Sequence, residues 1–150
     1  MSDHEQLRDV VSDVVGVPAD HVTLFWRGRV ALYAILRALG IRSGDEVIVP
    51  AFTCVAVPNA ILYTGATPVY VDIDEAHYTA DPAAVAAAMN ERTRAVLAQN
   101  TFGLSADLDA LGAAARPYGA VVIDDCTHGL GGTYKDRPNG AAADAAFYST

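Results

Sequence analysis

Short apolar runs, rich in valine and isoleucine, take turns along this chain with segments in which apolar residues return every third or fourth position. That alternation predicts strands and helices by turn. Residues 3–15 read as an amphipathic helix, and Gly16-Val17-Pro18 leads from it to a short strand at residues 22–26. Gly28 opens a helix over residues 29–39 with an apolar stripe of Val30, Leu32, Tyr33, Leu36 and Leu39, and Gly40 supplies its stop. After the turn Ser43-Gly44-Asp45 come a strand at 46–50, a helix at about 57–63, a strand at 68–72, and an alanine-rich helix starting near Asp81-Pro82. A strand at 95–98, a helix over 107–116 and a strand at 120–125 follow. Helices of about ten residues between strands imply right-handed crossovers, so the expected fold class is α/β, a mostly parallel sheet flanked by helices.

Candidate chemistry collects at the ends of these strands. The run Val121-Val122-Ile123-Asp124-Asp125-Cys126-Thr127-His128 is apolar until it ends in two carboxylates, at the edge where open α/β sheets bind ligands. Of two adjacent strand residues only one can face inward, so one carboxylate is a specialist and the other joins the turn. His128 is either a site residue or a loop histidine. At the start of the helix that Gly28 opens, the amides of Gly28, Arg29 and Val30 suit a phosphate, although a plain tight turn with solvated arginines fits as well. In the loop after the strand at 46–50, Phe52 is either core or a cofactor platform, beside Thr53 and Cys54.

Composition narrows the function classes. A chain of 150 residues, 52% hydrophobic, makes one α/β domain or a piece of a larger one. With 10 basic against 18 acidic residues and a net charge of −8, it is a poor partner for nucleic acid. The start MSDHEQLRDVVSDVV lacks the basic and long apolar regions of a signal peptide, and no window approaches the ~18 apolar residues of a membrane span. Cys54 and Cys126 have no metal-ligand spacing, so no metal is expected and a reducing cytoplasm is the expected location. A dinucleotide-binding reading needs G-x-G-x-x-G after the first strand, and the sequence around Gly28 lacks it.

Three segments carry a resemblance: GRVALYAILRALGIRSGDEVIVPAFTCVAVPNAILYTGATPVYVDID, RTRAVLAQNTFGLSADLDAL and VVIDDCTHGLGGTYKDRPNGAAADAAFYST. In this order and separation they resemble the N-terminal part of the large domain in the DegT/DnrJ/StrS family, sugar aminotransferases that use pyridoxal phosphate (PLP) on the type I fold. The resemblance implies that residues 1–150 form a single, truncated PLP-binding large domain without the C-terminal small domain. Its glycine-led helix start falls on Arg27-Gly28-Arg29-Val30-Ala31-Leu32 and would wrap the cofactor phosphate with amides, arginines standing where the family has serine and threonine. Asp125 falls on the acid that bonds the pyridine nitrogen, with Asp124 in place of a glutamate. His128 falls on the polar residue that seats the ring oxygen, and Ser149 on a serine that touches the phosphate from the last strand. The ring-stacking aromatic falls on Cys54 rather than on Phe52.

The chemistry expected from the resemblance is transfer of an amino group from an amino acid such as glutamate to a keto group on a nucleotide-linked sugar or a cyclitol, in a homodimer. PLP is an electron sink that is deepest with its ring nitrogen protonated, and a buried aspartate holds that proton through a charge-assisted bond. The lysine that carries the cofactor falls about five residues past Ser149 in the family pattern, so the 150-residue chain alone is expected to be inactive, and Lys135 reads as structural. Two relatives of the same resemblance stay open: a PLP-dependent sugar dehydratase with histidine in place of that lysine, and a regulatory or scaffolding protein without turnover.

Overall fold

The computed structural model describes residues 2–149; the domain ends assigned to residues 1 and 150 lie outside them. Helix α1 (Asp3–Val15) begins at a reciprocal cap, in which the Ser2 hydroxyl accepts from the Glu5 amide while the Glu5 carboxylate accepts from the Ser2 amide. It ends at Gly16, whose φ of 69° is a left-handed cap. The remaining elements are α2 (Gly28–Ala38), β1 (Glu46–Pro50), α3 (Ala56–Leu62), β2 (Thr67–Val71), α4 (Pro82–Ala88), β3 (Thr93–Gln99), α5 (Leu108–Ala115), β4 (Val121–Asp125), the two-residue strands β5 (Thr133–Tyr134) and β6 (Arg137–Pro138), and β7 (Ala145–Phe147). Among the described residues no helix is long and apolar enough to cross a membrane.

The large sheet has the order β2-β1-β3-β4-β7 with every neighbouring pair parallel, while β5 and β6 form a small antiparallel hairpin. The expected α/β class is therefore what the chain adopts. Strict alternation along the strands sorts the core into two layers. Val47, Val49, Ala95, Leu97, Ile123 and Phe147 pack with Leu32, Leu36, Val57 and Ile61 of α2 and α3. Ile48, Val96, Ala98 and Val122 pack on the opposite face with Val85, Leu108 and Leu111 of α4 and α5. Helices on both faces explain why β1 and most of β3 and β4 are buried at every position and read as unbroken apolar runs. The chain leaves β1 toward β2 and then crosses back to β3, so the strand order reverses between β1 and β3. Such a reversal parts the two loops and opens a crevice at the C-terminal ends.

Two expectations are corrected. Residues 22–26 are not a strand: after a 3₁₀ turn at Ala19–His21 the segment is extended, with Val22 and Leu24 half-buried, but it forms no ladder. Its alternation is real, yet it pairs with no strand among the described residues, and Phe25 and Trp26 stay exposed. Leu39 sits at the C-cap of α2, outside the stripe, and is 43% exposed, while Leu32 and Leu36 are fully buried. Leu36→Ala therefore removes buried contacts and leaves a cavity, costing about 2–5 kcal/mol. Leu39→Ala stays within about 0.5 kcal/mol. Urea denaturation of the two variants checks the pair of outcomes, and equal losses would remove the assignment of Leu36 to the core.

Candidate active site at the C-terminal strand ends

The alternation along β4 sends its two carboxylates to opposite faces, and they meet different fates. Asp124 is fully buried, and both of its oxygens are engaged: Oδ1 accepts from Asn100 Nδ2 at 3.0 Å and Oδ2 from the Gly140 amide at 2.9 Å. Burial raises its pKa above the usual carboxylate range, opposed by donors that include Gly140 and Asn100. Asp124 thus ties the strand end to the loops after β3 and β6.

Asp125 lies on the α2 and α3 face, 2% exposed, with Oδ1 accepting from the Thr127 amide at 3.1 Å. Its Oδ2 receives no hydrogen bond among the described residues. Burial is the main force raising its pKa; the Thr127 bonds oppose the rise, the neighbouring Asp124 charge adds to it, and His128 opposes it. A buried carboxylate with one oxygen uncommitted has capacity for one more donor, preferably a cation. Cys126 supplies no nucleophile, because its buried thiol is pushed far above the ordinary value by burial and by Asp124.

β7 runs beside this strand end, with Asp125 opposite Phe147 and the Cys126 amide donating to the Phe147 carbonyl at 2.9 Å. Ser149 lies two residues beyond β7 rather than on it, and α2 begins against it. A Cβ on Gly28 would stand 3.1 Å from Ser149 Cβ and 3.5 Å from its Oγ. The close approach of the helix start to the last loop therefore favours glycine, since a Cβ there would push Ser149 back by a few tenths of an ångström. The amides of Gly28 and Arg29 find no acceptor among the described residues, as at any helix start. The Val30 amide donates to the Arg27 carbonyl at 3.0 Å, so it is already engaged and drops out of the expected set of three.

The other expected residues come from neighbouring loops. His128 is exposed; its ring stacks on Phe102, with centroids 6.1 Å apart and planes 10° apart, and its Nδ1 accepts from the Phe102 amide at 3.4 Å. Phe52 is 47% exposed and so is not core, and the Cys54 thiol on the same loop is exposed. Lys135 stands in the turn between β5 and β6, its ammonium paired with Asp109 on α5, which agrees with a structural role.

The family model of the DegT/DnrJ/EryC1/StrS aminotransferases matches residues 3–150. The chain belongs to that family. L-glutamine:scyllo-inosose aminotransferase of Streptomyces griseus is 45% identical over 122 residues, which are 81% of this chain and 29% of that protein. The crystal structure of the aminotransferase TlmJ of Streptoalloteichus hindustanus superposes with a TM-score of 0.94 at 27% identity, over 99% of this chain and 41% of TlmJ. The PLP form of Spr1654 of Streptococcus pneumoniae, described as a candidate sugar aminotransferase, gives 0.92 at 30% identity over 99% and 41%. The chain spans about a third of the length of the curated relatives it matches.

In this DegT-family chain several residues shape the site that the sequence reading did not single out. Gln99 pairs in register with Asp125; its Oε1 accepts from the Thr53 hydroxyl, and its Nε2 donates to the Phe52 carbonyl at 3.2 Å and to Thr101 Oγ1 at 2.8 Å. Asn100 holds Asp124 and receives the Ala106 amide at 3.0 Å. The available signal was the polar run Gln99-Asn100-Thr101 directly after the apolar run at 95–98, the same pattern that exposed Asp124 and Asp125.

A raised Asp125 pKa fixes the sign of a pH effect. The folded state holds its proton to higher pH than the unfolded chain, whose carboxyl ionises near 3.9, so this group's contribution to stability falls as pH rises through that window. Asp125→Asn removes the penalty and keeps an acceptor for Thr127. The cofactor-free variant is expected to be more stable than the parent near pH 7, with the advantage vanishing below about pH 4. Urea denaturation at both pH values measures it, and a pH-independent difference contradicts the buried-charge assignment.

Proposed function

We propose that the protein is a PLP-dependent aminotransferase that moves an amino group from an amino acid to a keto-sugar or keto-cyclitol. The observation that carries this reading is Asp125, a buried carboxylate with one free oxygen, one strand away from the Gly28–Ser149 contact. These residues fit the cofactor. Asp125 Oδ2 would take the hydrogen bond of the protonated ring nitrogen, replacing the missing donor. The Gly28 and Arg29 amides and the Ser149 hydroxyl would hold the phosphate, and His128 would face the ring oxygen. When bound, PLP supplies the electron sink for amino-group transfer.

The protein's part is electrostatic. Asp125 keeps a proton on a nitrogen that would otherwise lose it, and a water-poor strand end strengthens that charge-assisted bond. Asp124 fixes the backbone from which Asp125 projects. Cys54 and Phe52 stand in the loop after β1, which Gln99 holds through the Phe52 carbonyl and the Thr53 hydroxyl, and would face the cofactor from there. We read residues 1–150 as the PLP-binding part of the large domain and assign the cofactor-bearing lysine to the full-length protein, since Lys135 is committed to Asp109. Exposed Val55, Leu62 and Tyr63 around α3 support a homodimer, and two free cysteines support a cytoplasmic location.

The test is to load the full-length protein with PLP and supply glutamate or glutamine with scyllo-inosose or a nucleotide-linked keto-sugar. An absorbance band near the visible edge that responds to the donor, with an amine product seen by mass spectrometry, is the expected outcome. No cofactor uptake, or uptake without transfer to either acceptor class, overturns the reading. Asp125→Asn lowers turnover on the order of 10²–10³-fold, the scale of one lost electrostatic partner at a reacting centre. Gly28→Ala, whose methyl meets Ser149, raises the PLP dissociation constant in a fluorescence titration.

A further inference from the structure

Four neighbouring strands each deliver one ring from the loop at its C-terminal end. In the spatial order β2, β1, β3, β4 these are Tyr78, Phe52, Phe102 and His128. Centroids lie 6.4 Å apart for Phe52 and Tyr78, 6.1 Å for Phe52 and Phe102, 6.0 Å for Tyr78 and Phe102, and 6.1 Å for Phe102 and His128. Tyr78, Phe52 and Phe102 thus form a triangle at the crevice where the strand order reverses between β1 and β3, and His128 extends it by stacking on Phe102. His128 ties the cluster to the end of β4, where Asp125 stands three residues earlier.

This cluster does not behave as core. Phe52, Tyr78 and Phe102 are 47%, 44% and 68% exposed, which leaves a contiguous apolar surface in water. Two of the three sit at positive φ, 57° for Tyr78 and 54° for Phe102, a conformation rare for bulky side chains and costing about 1–3 kcal/mol each. Local bonds hold the strain in place: the Tyr78 amide donates to the Asp74 carbonyl at 2.8 Å, and the Phe102 amide donates to His128 Nδ1.

We propose that this cluster is the platform for the saturated six-membered ring of the amino-group acceptor, whose C–H face lies on the aromatic faces. The inference rests on the aminotransferase reading of the same site. Aromatic faces carry the negative part of the ring quadrupole and attract the weakly positive C–H groups of a polyhydroxylated ring. The cluster offers a flat nucleobase no slot between two parallel faces. The three carbocyclic rings meet at 45–74°, so they offer no parallel slot. The one parallel pair, Phe102 and His128, stands 6.1 Å apart, less than two carbon contacts of about 3.5 Å each. At the rim, the Tyr78 hydroxyl carries no hydrogen bond among the described residues and is free to meet ring hydroxyls. An acceptor seated on the rings lies over the loops after β1, β2 and β3, beside the strand end that carries Asp125.

The experiment titrates the full-length protein, with and without PLP, with scyllo-inosose, UDP-N-acetylglucosamine and UDP, following the ring protons of Tyr78 and Phe102 by NMR. The expected result is a shift of both rings with either ring-bearing probe and none with UDP. Tyr78→Leu raises the probe dissociation constant tenfold or more and leaves that of PLP within about twofold. Equal shifts with UDP assign the cluster to a base and overturn the proposal. It is also overturned by an absence of shifts, by rings already shielded in a dimer, or by a parallel loss of PLP affinity. Failure to take up PLP strikes the aminotransferase reading instead, because the cofactor-free titration still reports on the rings.

Discussion

A carboxylate taken out of water must find donors or keep its proton, and the end of β4 places two of them side by side under that constraint. Asp124 satisfies it inside the protein with Asn100 and Gly140. Asp125 satisfies it only by half, through Thr127. The difference follows from one residue of strand alternation: the α4 and α5 face offers an asparagine and a turn amide, and the opposite face opens toward the start of α2. A one-residue slip in the register of β4 would exchange the two carboxylates and place the uncommitted oxygen against Asn100.

The two-layer packing makes that slip expensive. Val122 and Ile123 are committed to opposite cores, so the register that buries them also aims Asp124 and Asp125. Function at the strand end is thus set by apolar residues a few positions upstream. The glycine at position 28 acts by the same logic at the neighbouring strand, where its missing side chain lets the helix start settle against Ser149.

Much of this was legible in the chain itself. The apolar runs of β1, β3 and β4 are long because both faces are covered, and the carboxylate pair stands out because it ends such a run. Residues 22–26 misled because periodicity reports which side chains turn inward and says nothing of whether a partner strand is present. Tyr78 and Phe102 escaped notice for a related reason. Aromatics in loops look like core until exposure and φ are known, and only the assembled sheet brings four rings from distant segments into one cluster. Val30 was counted as a free amide because sequence does not reveal the tighter bond that its amide makes to Arg27.

Three of the rings arise from the loops after β2, β1 and β3, whereas Asp125 ends β4, Gly28 opens α2 and Ser149 lies past β7; His128 follows β4 and belongs with the second group. Such separate origins make the site evolvable in halves. Drift at positions 52, 78 or 102 can retune what is admitted without disturbing the acid at the other end. Gln99 is the exception, since it shares a register pair with Asp125 while gripping the Phe52 loop, and a change there would be felt by both halves at once.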